Sequence, residues 1–224
     1  MNTPDGPIKT HETELRTSRT AQRQERGVLA ILRALSPRRR LAPREILALA
    51  ELQANRLLEL AGRPQAPIPN ELITELPRIV VRHDPDLPVS GAAHWTAGRW
   101  QLTINASEPW TRQRFSLAHE LKHVIDHRHV ETLYENGKQA ELAADYFAAC
   151  LLMPKREVLR AWCQGAQNLS TIAEQFGVSP AAMARRLEYL GLRTPARRAP
   201  SPSPTPARRG HYTRVGSLAL GATA

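Results

Sequence analysis

The spacing of apolar residues changes twice along the middle of the chain, and this change restricts its fold more than any other feature. Apolar residues recur three or four positions apart in four segments, which are 27–36, 44–61, 109–127 and 138–153. Between the second and the third of these lie three strand-like segments, which are 78–83, 90–95 and 99–105. Helices followed by a small sheet and then by further helices predict an α+β domain.

The two ends of the chain have a different composition from this middle part. From 193 to 210 the sequence is almost entirely Pro, Ala, Arg, Ser and Thr, and the first 26 residues contain few large apolar side chains. Such segments cannot bury enough apolar surface to offset the entropy lost on ordering. We therefore predict disordered arms at 1–26 and 193–224.

The formal net charge of +10 lies mostly in the C-terminal arm, where six arginines follow Glu188 and no acidic residue does. This distribution predicts nonspecific nucleic-acid contact through the basic tails. No apolar run reaches the roughly 18 residues of a membrane helix, and the polar start does not resemble a secretory signal. The sequence thus predicts a cytoplasmic protein without a membrane partner, and its two cysteines exclude a disulfide framework.

The segment His119-Glu120-Leu121-Lys122-His123 has the residue types of a hydrolytic metal site. Four residues turn a helix by about 400°, so the two histidines lie about 40° apart on one face and can bind one ion. A Zn²⁺ ion held there lowers the pKa of its water towards about 7, and Glu120 is placed to take the proton. The segment predicts a zinc metalloendopeptidase.

Catalytic zinc has three protein ligands and an open position, and two residues compete for the third ligand. His129 lies ten residues after His119, which is the spacing of metzincins, but Asp126 occupies the position where they need a glycine. The rival is Glu141 in the next predicted helix, one turn before Asp145.

The helix that carries Glu141 favours it as the third ligand. One of the two carboxylates can bind zinc while the other, Asp145, accepts the free N–H of a ligating histidine. Small residues surround them and would let the two helices approach closely, and these are Ala143, Ala144, Ala148 and Ala149. The Glu-x-x-x-Asp arrangement is similar to that of glutamate-ligated zinc peptidases.

Two segments, 114–123 and 141–154, together resemble the ImmA/IrrE family of bacterial zinc metallopeptidases. Segments 89–92 and 176–192 and the strand that ends at Asn105 are similar too, so the resemblance covers about 46–192. It implies a zincin-like core with a small mixed or antiparallel sheet and a C-terminal helix-turn-helix-like helical module. The implied domains are a metallopeptidase domain at 27–154, which includes the N-terminal helices, and the helical module at 155–192.

The resemblance also implies roles for single residues. His119, His123 and Glu141 would be the zinc ligands and Glu120 the general base. Family members cleave a helix-turn-helix transcriptional repressor, and this cleavage relieves repression. Lys122 stands where the family often has glycine, and we expect its side chain on the outward face of the helix.

A second function remains open, in which residues 168–192 bind DNA as a transcriptional regulator and the metal site is structural or vestigial. The helix that would read bases begins Pro180-Ala181-Ala182, which offers no hydrogen-bonding side chain before Arg185. The sequence also leaves open which residue stabilises an oxyanion. The candidates are His83, Arg112, Arg114, Tyr134 and Tyr146.

Overall fold

The computed structural model describes residues 27–164 and 168–192, and the arms that the sequence predicts at 1–26 and 193–224 lie outside these residues. Nine helices are found in the described part: α1 Val28–Ala34, α2 Pro43–Leu60, α3 Glu71–Thr74, α4 Trp110–Asp126, α5 Val130–Leu133, α6 Gly137–Leu152, α7 Lys155–Cys163, α8 Leu169–Phe176 and α9 Pro180–Tyr189. Three strands lie between α3 and α4: β1 Ile79–Asp84, β2 Gly91–Thr96 and β3 Arg99–Asn105. The α+β prediction is confirmed. None of the described helices has the length and apolar character needed to cross a bilayer.

The sheet is small and mixed, with strand order β1-β3-β2. β1 runs parallel to β3, whereas β2 and β3 form an antiparallel hairpin. The turn of this hairpin is Ala97-Gly98, and both residues have positive φ angles, of 47° and 77°. A turn with two positive φ angles matches the right-handed twist of the two strands that it joins. Because β3 lies between β1 and β2, β2 is an edge strand of the described sheet.

Helix α4 lies at the centre of the molecule, between the sheet on one side and α6 on the other. Its apolar residues Ala118, Leu121 and Ile125 are fully buried. The last turn leaves carbonyl groups without helical partners. Arg33 of α1 donates to two of them, from Nη2 to the oxygen of Val124 at 2.8 Å and from Nε to that of Ile125 at 3.2 Å.

Helix α6 packs closely against both α4 and α2. It begins after Asn136, whose side chain accepts the backbone N–H of Gln139 at 3.1 Å and so caps the helix. The face towards its neighbours consists mainly of small residues that are fully buried, namely Ala143, Ala144 and Ala148. Small side chains allow the close helix approach that the sequence predicts.

The C-terminal helices α7 to α9 bury their apolar faces in the same hydrophobic cluster as α1, the sheet and α4. Helix α8 ends at Gly177, whose φ of 62° is the left-handed conformation typical of a helix C-terminus. Ser179 then caps α9 by accepting the N–H of Ala182 at 3.2 Å. The division of the chain at residue 154 into two domains stays a prediction.

Candidate metal centre

Two imidazole rings project from one face of α4 into a common cleft. The ring centroids of His119 and His123 lie 4.8 Å apart, and their Nε2 atoms are separated by 3.0 Å. Both side chains are largely buried, with exposed fractions of 17% and 27%. The spacing of four residues along the helix accounts for this placement.

Helix α6 brings the carboxylate of Glu141 to the same point. Its Oε2 lies 3.2 Å from Nε2 of His119, and its Oε1 lies 3.4 Å from Nε2 of His123. One ligand atom from each of the three residues lies within 4.8 Å of the others. Zinc bonds of 2.0–2.1 Å in a tetrahedron place neighbouring ligand atoms about 3.3 Å apart. The donor set and its spacing therefore fit a metal ion of this kind.

Asp145, one turn beyond Glu141, holds the ring of His119 from behind. Its Oδ1 lies 3.0 Å from Nδ1 of His119. A carboxylate at this distance accepts the Nδ1–H, so the lone pair of Nε2 faces the cluster, as in the carboxylate-histidine pairs that support metal sites. The hydrogen bond from His119 lowers the pKa of Asp145 despite its partial burial, and the charges of Arg185 and Arg112 lower it further.

The two histidines differ in their tendency to protonate. Burial lowers the pKa of His119, but the hydrogen bond to Asp145 and the charges of Glu120, Asp145 and Glu141 outweigh this effect and raise it overall. Burial and the charge of His119 lower the pKa of His123. Only a neutral imidazole can bind a metal ion, so a lowered pKa favours ligation by His123.

Glu120 lies beside this cluster rather than in it. Its side chain is buried, and burial raises the pKa of its carboxyl group; the charge of Glu141 adds to the rise and that of His119 opposes it. The carboxylate packs against Gly91 at the start of β2. A Cβ atom at Gly91 would come within 2.9 Å of both Cγ and Oε1 of Glu120, which is closer than such atoms approach. A larger residue at this position would require the carboxylate of Glu120 to shift.

The cluster lies in an open cleft of about 540 Å³ between α4, α6 and the segment that leads into β2. Besides the acidic and histidine side chains, the cleft is lined by Val89, Ser90, Gly91, Arg112, Phe115 and Ser116. Arg112 donates from Nη2 to Oγ of Ser90 at 3.2 Å, and that hydroxyl donates to Glu108 at 2.7 Å. These contacts hold a guanidinium group at the rim.

The part of the chain that forms this cluster matches a known protein family. A family model described as an IrrE N-terminal-like domain, Peptidase_M78, matches residues 77–188, which is half of the chain and includes the whole cluster. The chain belongs to the ImmA/IrrE family. Peptidase activity is the activity that this family assignment suggests. A comparison with curated proteins found no match.

A solved structure of a Mycobacterium tuberculosis transcriptional regulator is similar to this ImmA/IrrE protein at 23% identity and a TM-score of 0.49. The match covers 62% of this chain and 46% of the regulator, so it spans less than half of that protein's length.

In this ImmA/IrrE protein, His129, which competes with Glu141 for the third ligand, and the nearby His127 both lie outside the cluster. The ring of His127 packs on Trp100, with centroids 4.8 Å apart, at the far end of α4. The backbone N–H of His129 donates to the carbonyl of Asp126 at 2.6 Å, and this residue precedes the short helix α5. Glu141, and not His129, is thus the residue that meets the histidine pair.

The five residues that could stabilise an oxyanion lie in different parts of the structure. Arg112 lines the cleft, whereas the guanidinium of Arg114 donates to the carbonyls of Ile68 and Gly177 inside the core. Tyr134 is buried next to Lys122, and His83 lies exposed on β1. Tyr146 lines a neighbouring pocket.

The expectation that Lys122 faces outward is wrong. Its side chain is 1% exposed, and Nζ donates to Oε1 of Gln53 at 2.7 Å, to Oδ2 of Asp126 at 2.5 Å and to the hydroxyl of Tyr134 at 3.3 Å. Burial lowers the pKa of Lys122, and the charge of Asp126 opposes this shift. Gln53 of α2 and Tyr134, which follows α5, meet the side of α4 that carries Lys122, so this side faces the interior.

We expect Lys122→Met to lower the free energy of unfolding by about 3–5 kcal/mol, because it leaves the buried carboxylate of Asp126 without its charged partner. The double variant Lys122→Met/Asp126→Asn is expected to regain most of this loss, since no buried charge then lacks a partner. Urea unfolding of the three proteins measures both effects. A loss below about 1 kcal/mol in the single variant would contradict the ion pair.

Proposed function

We propose that this chain is a cytoplasmic zinc-dependent endopeptidase in which His119, His123 and Glu141 hold the ion and Glu120 is the general base. The observation that carries the proposal is the meeting of two imidazole nitrogens and one carboxylate at mutual distances of 3.0–3.4 Å. The family assignment supports peptide-bond hydrolysis as the reaction.

A bound zinc ion supplies a Lewis acid that activates water and polarises the carbonyl group of the scissile bond. The residues of the chain orient the ligands and transfer the protons. Asp145 keeps His119 in the tautomer that offers Nε2 to the ion. Glu120, held at the cleft floor by its contact with Gly91, takes a proton from the attacking water and returns it to the leaving amine.

The edge of β2 is suited to hold an extended peptide across the site. Asn105 donates its backbone N–H to the oxygen of Ser90 at 3.1 Å. Hydrogen-bonded positions alternate along an antiparallel pair, so Ala92, His94 and Thr96 also point their backbone groups towards β3. By alternation, the backbone groups of Gly91, Ala93 and Trp95 point away from the sheet. A substrate strand that pairs with them would pass beside Glu120, and this supports cleavage within a chain.

The substrate we propose is a helix-turn-helix transcriptional repressor, whose cleavage would derepress its target genes. Where a gene next to its own encodes such a repressor, the test is to incubate the zinc-loaded full chain with that purified repressor and to follow fragments by mass spectrometry. We expect a single major cut that a zinc chelator prevents and that added zinc restores. An intact repressor in the presence of zinc-loaded protein would contradict this substrate.

A further inference from the structure

A second pocket opens beside the candidate metal centre, between α4, α6 and α9. It measures about 250 Å³. Three residues line both this pocket and the cleft of the metal centre, namely Arg112, Phe115 and Asp145. The two spaces are therefore adjacent, and the pocket lies beside the place where a peptide bond would be held at the candidate metal centre.

The walls of this pocket combine apolar surface with positive charge. Phe115, Leu142, Ala149 and Ala182 contribute apolar side chains. Arg112 and Arg185 are exposed at its rim. Among the described lining residues the only acid is Asp145, and its carboxylate is engaged with His119 at 3.0 Å.

A third arginine, Arg186, lines the pocket from a buried position. Arg186 is 1% exposed, and its Nε donates to the carbonyl of Met153 at 3.0 Å. Its Nη1 and Nη2 atoms are buried without a hydrogen-bond partner in the described residues. Oε1 of Glu51 lies 3.7 Å from Nη2 of Arg186, beyond hydrogen-bond range but close enough for an ion pair. Arg112 has a similar partner, because its Nε lies 3.8 Å from Oε2 of Glu108. Among the described residues, Arg185 is thus the arginine of this pocket that forms no ion pair.

We infer that this pocket receives an acidic side chain of the substrate from a position within two residues of the scissile bond. This inference rests on the proposed peptidase function. Arg185 and Arg112 supply charge-assisted hydrogen bonds to the carboxylate. The apolar wall contacts the methylene groups of that side chain, which favours Glu over Asp.

The test is a cleavage profile of the zinc-loaded full chain on a set of randomised peptides, N-acetylated and C-terminally amidated, read by mass spectrometry. Wild type is expected to cut peptides with Glu at one fixed position about tenfold faster than matched peptides with Gln. Arg185→Glu should lose this preference and instead favour Lys or Arg at the same position. Arg44→Glu is the matched control, because Arg44 is an exposed arginine on α2 that lines neither pocket, and it should keep the wild-type profile.

The other outcomes distinguish the two hypotheses. Cleavage without an acidic preference, or with a preference that Arg185→Glu leaves unchanged, would overturn the role of the pocket and leave the peptidase function intact. A second set of the same peptides with free C-termini is cleaved in parallel, and an acidic preference seen only in that set would assign the pocket to the terminal carboxylate and would overturn the side-chain proposal. If zinc-loaded wild type cuts no peptide and no repressor, the proposed function fails, and this inference fails with it.

Discussion

Glu120→Gln is expected to bind zinc as wild type does and to lose about a thousandfold in the rate of substrate cleavage. Glutamine matches glutamate in size and shape, so the packing against Gly91 is retained. Its amide cannot accept a proton from water, and the variant therefore lacks the general base. The two measurements are zinc per chain by mass spectrometry and the initial rate of repressor cleavage.

A matched control shows whether the lower cleavage rate comes from position 120 itself or only from the loss of one negative charge. Glu174 is an exposed glutamate on α8, outside the cleft, and Glu174→Gln should cleave at the wild-type rate. A Glu120→Gln protein that cleaves as fast as wild type would exclude Glu120 as the base. Loss of zinc by this variant would instead show that Glu120 takes part in holding the ion.

Gly91→Ala is expected to lower the cleavage rate by about a hundredfold while leaving zinc content unchanged. The added Cβ would stand 2.9 Å from Cγ and Oε1 of Glu120, so the carboxylate must move. A displacement of about 1 Å of a reacting group can reduce a rate a hundredfold. Because the side chain of Glu120 can shift without disturbing the helix, we expect only a small change in stability.

Gly137→Ala is the control for this substitution. Gly137 is the first residue of α6, and a Cβ there meets nothing within 4 Å, so the rate should match wild type and the stability should be equal or slightly higher. The measurements are cleavage kinetics and thermal unfolding of Gly91→Ala and Gly137→Ala. A wild-type rate for Gly91→Ala would mean that Glu120 tolerates displacement and that its contact with Gly91 has no catalytic role.

The elements that carry the candidate metal centre could be predicted from the sequence because they depend on local spacing. The positions of His119 and His123 follow from the period of one helix, and Glu141 and Asp145 from the period of the next. Small residues in α6 indicated that the two helices approach closely, and the buried Ala143, Ala144 and Ala148 agree with that prediction. The short helix α5 was not predicted, since four residues are too few to show a period.

Features that depend on contacts between distant segments could not be predicted in the same way. Lys122 is buried because Gln53 and Tyr134, from α2 and the end of α5, supply oxygen atoms around its ammonium group. A charge on a helix gives no local sign of such partners. The approach of Glu120 to Gly91 and the pocket shared by α4, α6 and α9 likewise arise only when separate segments pack together.

Zinc content per chain tests the central claim most directly. The full-length wild-type protein, purified without chelators and equilibrated with zinc, is expected to hold about one ion per chain. His119→Ala and Glu141→Ala should each lose it, whereas His129→Ala should hold as much as wild type. If Glu141→Ala retains the wild-type amount, or if wild type binds no stoichiometric zinc at neutral pH, the ligand set proposed for this protein is contradicted.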